Sequence, residues 1–559
     1  MSGGPGAGSG ARGTAVRLAL MAPPAVFLAL FFAYPVAAIT ARGLHEGGRW
    51  HPGRIAEVLT DPGIARVVWF TLWQAAASTV LTLLLALPGA YVLARYDFPG
   101  KRVLRAVVTV PFVLPTVVVG SAFLGLLGRG GLLEETWGLR PVTGPAAILI
   151  AHVFFNYAVV VRIVGSLWAQ LDPRQEEAAR VLGASRLAAW RTVTLPALAP
   201  AAAAAALMVF LFTFTSFGVV QILGGPRYAT LEVEIYRRTA YLLDLPTAAV
   251  LTLVQFAAVA ALLAVHARTA RRHQRTLGLV DAARTARRPR GARQRMLLAA
   301  VLAQIALLVL TPLAVLVERS LNGPDGYGLD FYRALAETDG TFAVAPLEAV
   351  GNSLAYAAVA TGIALAVGGL AAVALTLPES GRRAGRLVRG FDALLMLPLG
   401  TSAVTVGFGF LIALDEPPLD LRSSWILVPL AQALVGVPFV VRTLLPVLRA
   451  VDPRLREAAA VLGASPPRVW REVDLPLVRR ALLVAAGFAF AVSLGEFGAT
   501  VFIARADAPT LPVAVARLLG RAGEANYGQA MALSTILMLV CTATLLALES
   551  IRTDRSGEL

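Results

Sequence analysis

Twelve apolar runs, each about as long as a bilayer core is thick, restrict what this chain can fold into. Crossing the hydrocarbon takes about 20 mainly apolar residues as a helix. Six such runs lie near 18–39, 67–94, 104–127, 145–168, 197–223 and 247–267. Six more lie near 296–317, 349–377, 390–414, 424–445, 481–503 and 529–549. Of 559 residues, 57% are hydrophobic and 15% charged, a surplus that no water-soluble fold of this size can bury. Lipid cannot satisfy backbone polar groups, so the runs are expected to be helices. Pro88, Pro111, Pro115, Pro398 and Pro438 lie inside them and are tolerable where neighbouring helices satisfy the freed carbonyls. The first 15 residues read as disordered within a cytoplasmic tail 1–17 before an uncleaved first span, and 550–559 as a second cytoplasmic tail.

The net charge of +16 does not point to nucleic acid, because the arginines sit between apolar runs. Anionic lipid headgroups are their expected counter-charge. The segment 268–295 carries Arg268, Arg271, Arg272, Arg275, Arg284, Arg287, Arg288, Arg290, Arg293 and Arg295 against one acid, Asp281. Arginine bias makes this linker, 95–105 and 378–389 cytoplasmic, while the acidic segment 318–348 faces outward. Both termini then lie inside a multi-pass cell-membrane protein. Cys541 is the one cysteine, so no disulfide or thiolate metal centre can form within the chain. Lys101 is the one lysine, and its flank lacks the glycine pattern of a phosphate-binding loop. Neither a cofactor nor a resident metal is expected.

A polar stretch occurs twice. "LDPRQEEAARVLGASRLAAWRTVTLPAL" from Leu171 returns as "VDPRLREAAAVLGASPPRVWREVDLPLV" from Val451, an offset of 280 residues that continues without a gap to Gly218 and Gly498. Six spans separate the copies, so both face the same way. The chain divides into parallel halves, 18–267 and 296–549, joined by the linker 268–295. A fainter echo relates Pro111–Gly120 to Pro398–Gly407. Within each copy Asp172-Pro173 and Asp452-Pro453 read as helix starts, and Gln175 has the spacing of a capping box with Asp172. Glu176, Glu177 and Glu457 fall near a helix amino terminus, where negative charge is favoured by about 0.3–1 kcal/mol. Gly183 and Gly463 end that helix, and a second short helix carries Trp190 and Trp470. The small surface of Ala178, Ala179, Ala458 and Ala459 permits close approach of another protein.

The spacing Glu177-Ala178-Ala179, Gly183, Val193, Leu195-Pro196, repeated as Glu457-Ala458-Ala459, Gly463, Val473, Leu475-Pro476, resembles the EAA signature of permeases in ATP-binding-cassette importers. The family's trailing proline is present as Pro200 but replaced by Arg480 in the second copy. The resemblance implies a type I, MetI-like all-α fold of 12 transmembrane helices in two six-helix repeats. It also implies that each loop seats in a separate ATPase subunit, two copies in all, and that an extracytoplasmic solute-binding protein delivers the cargo. ATP hydrolysis would then occur on that partner, not on this chain. Fused permeases of this kind resemble thiamine and ferric-iron importers, and the segments from Ser216 and Gly495 look closer to the thiamine type. The competing classes are an ion- or proton-coupled secondary transporter, which would need more buried ionisable groups, and a membrane-embedded enzyme, for which no convincing cluster is visible.

Glu496 is the acid expected to lie within the bilayer, and its repeat counterpart is Ser216. With Phe214, Phe217 and Phe497 at that level, an acid among aromatics suits a cationic aromatic solute. A carboxylate also suits a hard metal ion, and Glu496 facing water or a helix partner stays open. His152 and Asn156 share a helical face and read as interhelical hydrogen-bonding groups rather than a metal site.

Overall fold

Proline decides where one of the apolar runs breaks. The structure, a computed structural model, describes residues 7–553 apart from 47, 273–279, 282–284, 339–342, 378–381, 399–400, 416 and 418. The expected third span at 104–127 is an amphipathic helix Lys101–Val113 followed by a separate apolar helix Thr116–Leu127. Between them Leu114 is extended (φ −68°, ψ 139°), because Pro115 disfavours a helical residue before it. The expected ninth span at 390–414 divides likewise, into Arg382–Met396 and Ala403–Ala413. Ser402 starts the latter by accepting hydrogen bonds from the amides of Val404 and Thr405. Among the described residues eleven helices are long and apolar enough to cross a membrane, and Ala403–Ala413 is the shorter twelfth apolar helix. The chain is an all-α integral membrane protein whose described residues also include two short antiparallel hairpins, His45–Glu46 with Arg49–Trp50 and Asn322–Gly323 with Gly326–Tyr327.

Those hairpins extend the repeat beyond what the sequence displays. Each follows a span interrupted by a π turn, Ala29–Ala33 in one half and Ala306–Leu310 in the other, just before Tyr34-Pro35 and Thr311-Pro312. Proline offers no amide to the preceding turn, which suits a locally widened ladder. The first helix starts at Ala7, so most of the stretch expected to be a disordered start is helical.

Packing interleaves the two sequence halves. One compact unit holds residues 1–52, 335–514 and 537–559; the other holds 53–334 and 515–536. The first span therefore packs with the second half, and the span Ala292–Leu321 with the first. In the first of these units the Arg17 guanidinium donates to the carbonyl of Leu377 (2.7 Å), a cation at the carboxyl end of helix Glu348–Thr376. In the other, the Gln304 amide donates to Leu85 (2.9 Å), tying the seventh span to the second. The compact units thus have other bounds than the expected halves 18–267 and 296–549. The physical reason is that each first span finds its apolar partners on the other repeat's helices.

Small residues set the closest helix contacts, as lipid-exposed bundles require. Helix Pro62–Arg95 packs on Pro145–Gln170 at Gly89, where a Cβ would come within 2.1 Å of the Tyr157 hydroxyl. Helix Glu348–Thr376 packs on Leu427–Ala450 at Gly368, where a Cβ would meet that of Val440 at 2.9 Å. Gly120 and Gly407, the ends of the faint echo, each abut the segment following the fifth span of their sequence repeat, at Ile222 and Ala499.

Candidate functional site

Each repeated loop is built from one helix-stop motif. After Leu171 and Val451 break the preceding helices, the carboxylates of Asp172 and Asp452 accept from the amides of Arg174 and Arg454, both at 2.9 Å. Helices Arg174–Val181 and Pro453–Val461 follow. The capping-box expectation at Gln175 needs correction. Its amide bonds the Asp172 carbonyl (3.3 Å), because the Asp172 carboxylate is already turned to Arg174. At the far end Gly183 and Gly463 adopt left-handed backbone, φ +92° and +81°, which glycine enters without steric cost. The Gly183 amide bonds Arg180 (3.1 Å) and that of Ala184 bonds Ala179 (3.1 Å). Gly463 to Ala460 (3.0 Å) and Ala464 to Ala459 (3.0 Å) repeat the pattern. These are the paired bonds of a Schellman stop. The glycine of the signature is therefore a backbone requirement, and the second alanine supplies the carbonyl that closes the turn.

Beyond the stop, short helices Arg186–Ala189 and Pro466–Val469 lead into π turns Trp190–Thr194 and Trp470–Asp474, then into spans opened by Leu195-Pro196 and Leu475-Pro476. Glu177, Ala178, Glu457 and Ala458 are exposed, whereas Ala179 and Ala459 are half-buried. Sequence reasoning passed over the residues between them and the glycines. Val181 and Leu182 are 87% and 89% exposed, and Val461 and Leu462 88% and 87%. Two adjacent aliphatic side chains thus stand bare at the tip of a charged loop in both copies. The signal was present in the shared "VLGAS".

Glu176 plays a different part from Glu177. Its carboxylate accepts from the Thr194 hydroxyl (2.9 Å), fastening the loop helix to the π turn. At the matching positions Arg456 donates to Asp474 (2.8 Å), with Asp474 buried and Arg456 one-third exposed. The latch is kept while acid and partner change sides.

Ser216 and Phe217 lie in one unit, Glu496 and Phe497 in the other, and all four are buried. The Ser216 hydroxyl shares a hydrogen bond with His152 Nε2 (2.8 Å), whose Nδ1 meets Ser78 (3.0 Å). His152 thus links two helices and the loop after the fifth span, as an interhelical hydrogen-bonding group. Asn156 donates to the His152 carbonyl (3.0 Å) within its own helix. Phe217 packs edge-on to Tyr236 (5.4 Å), and Phe214 stacks on Phe210 (5.9 Å). Glu496 turns toward its own chain. Its two carboxylate oxygens accept from the amides of Ala499 (2.7 Å) and Thr500 (3.0 Å), capping helix Thr500–Ile503.

Two buried acids were not anticipated. Glu232 pairs with Gln255, and Glu234 binds Arg238 (2.8 Å), which also reaches Asp244 (2.9 Å). They sit in the short helix Leu231–Ala240, outside any apolar run, and Pro512 and Ala514 occupy the matching positions of the second half. Among the described residues no group of three or more His, Cys, Asp or Glu could hold a metal.

Residues 81–275, which include the first loop, match the family described as "Binding-protein-dependent transport system inner membrane component". A thiamine transport system permease protein ThiP from Brucella abortus is 30% identical over 546 residues, covering 96% of each chain. A probable ABC transporter permease, y4fN, from Sinorhizobium fredii is 25% identical over 90% of each. The ThiP of Escherichia coli is 27% identical, over 87% of this chain and 88% of its own. With both lobes, both loops and nearly the full length accounted for, the chain belongs to the fused two-lobed permeases of ATP-binding-cassette importers, the binding-protein-dependent inner-membrane components.

Proposed function

We propose that the two loops are the seats of two ATPase subunits, and that the permease imports a thiamine-like organic cation handed over by an extracytoplasmic binding protein. The observation that carries the docking reading is the twofold occurrence of one surface. An exposed Glu-Ala pair, a Schellman stop and a bare Val-Leu tip recur at Glu177–Leu182 and Glu457–Leu462. The arginine bias supports placing both loops and both termini on the cytoplasmic side of the cell membrane. The thiamine reading rests on relatives of that name aligned along nearly the whole chain. Glu496 weighs against a ferric-iron site at this position, because its carboxylate is engaged by two backbone amides and is not a free hard ligand. Its proposed part is to hold the turn bearing Phe497 beside the pathway, with Ser216 and Phe217 in the corresponding place of the other unit.

Cysteine at Leu182 or at Leu462, with Cys541 replaced by serine, tests the docking. Each should cross-link to the ATPase subunit in inside-out vesicles and resist membrane-impermeant thiol reagents in intact cells. Labelling from outside, or no cross-link from either position, overturns the reading.

A further inference from the structure

Beside the first loop lies a cavity of about 720 Å³, within the range of small-molecule sites, with no equivalent implied by the repeat. Its aromatic walls are Tyr91, Trp168 and Trp190, with Tyr91 edge-on to Trp168 at 5.2 Å. Arg95 lines it from the end of helix Pro62–Arg95, nine-tenths buried, and its Nη1 has no hydrogen-bond partner among the described residues. A buried guanidinium N–H without an acceptor is costly and calls for an anion. Arg180 and Arg186 of the loop also line the cavity.

The linker forms part of the wall. Its segment 285–287 is pinned by main-chain bonds from Arg287 to Arg95 (2.9 Å) and from Asp97 to Arg287 (3.0 Å), and by the Thr285 hydroxyl on Ala169. Arg287 thereby faces the same space as Arg95. Two acids, Glu176 and Glu177, face four arginines, Arg95, Arg180, Arg186 and Arg287, which leaves the cavity with an excess of positive charge. In the second half Trp168 is matched by Leu448, and the helix equivalent to Pro62–Arg95 ends in Ala374-Leu375-Thr376 without an arginine. The chemistry is therefore not something the loop needs in order to fold.

We propose that this cavity binds a soluble aromatic phosphate, its phosphate on Arg95 and Arg287 and its ring against the wall formed by Tyr91, Trp168 and Trp190. Occupancy would tie the linker to the first loop alone and give one lobe a ligand-dependent stiffness. Binding does not depend on the docking reading; only its consequence for transport does.

The test is titration calorimetry on the full chain in phosphatidylcholine nanodiscs, with phenyl phosphate, inorganic phosphate and phenol as probes. Phenyl phosphate should bind saturably and about tenfold more tightly than either fragment. Arg95→Gln should weaken it at least about tenfold, and Arg287→Gln, at an exposed position where folding is secure, several-fold. Absent binding, or equal binding in wild type and Arg287→Gln, overturns the proposal. So does a result in which phenyl phosphate fails but phosphatidylglycerol co-purifies with wild type and not with Arg287→Gln, since the phosphate then belongs to a lipid.

Discussion

The two loops share a backbone and differ in what locks it. In both, an aspartate starts the helix, a left-handed glycine stops it and a π turn follows. The latch beneath is a hydroxyl on a carboxylate in the first copy, Thr194 on Glu176, and an ion pair in the second, Arg456 on Asp474. Duplicated structure has held the geometry of the exposed face while the hidden chemistry drifted. That pattern is expected where an outside partner constrains only what it touches.

The largest effect should come from the shared backbone. Gly183→Val and Gly463→Val each force a β-branched residue into φ near +90°, at about 1–3 kcal/mol apiece. Each should reach the membrane yet lose most uptake, and to the same degree. A large difference between them would break the equivalence of the loops. The latches should separate them instead. Asp474→Ala removes a buried acid from Arg456 and should cost about 1–2 kcal/mol, discounted because Arg456 is one-third exposed. Thr194→Ala removes one hydrogen bond to a charged group and should cost about 1 kcal/mol. Hydrogen exchange across 453–461 and 174–181 reads both. Glu176→Arg with Thr194→Asp should transplant the second latch into the first loop and recover protection that either change alone loses, a coupling of about 1 kcal/mol. Additive losses would show that the latch positions are not interchangeable. The smallest effect is reserved for Gln175→Ala, within about 0.5 kcal/mol, as for a surface position making no cap.

Much of this was legible in the chain. Apolar length gave the spans, and the duplicated loop gave helix, glycine stop and Leu-Pro re-entry at the right residues. The third run misled because hydropathy does not register that Pro115 breaks a ladder its apolar neighbours would continue. The interleaving of first spans was invisible because an apolar stripe does not name its partner. Glu232 and Glu234 were missed for lack of a flanking apolar run, and the Val-Leu tips because aliphatic residues on a short helix ordinarily read as its buried face. Glu496 was found by composition, but the turn that lets it cap its own helix depends on backbone geometry that composition does not encode.

The central claim, that both loops dock on an ATPase, is tested most directly by reversing the exposed acid in each. Glu177→Arg with Glu457→Arg places positive charge near two helix amino termini and a bulky side chain on each contact face, without touching either latch. The permease should be present in the membrane at wild-type level, fail to co-purify its ATPase and import nothing. Normal co-purification with undiminished uptake would contradict the account.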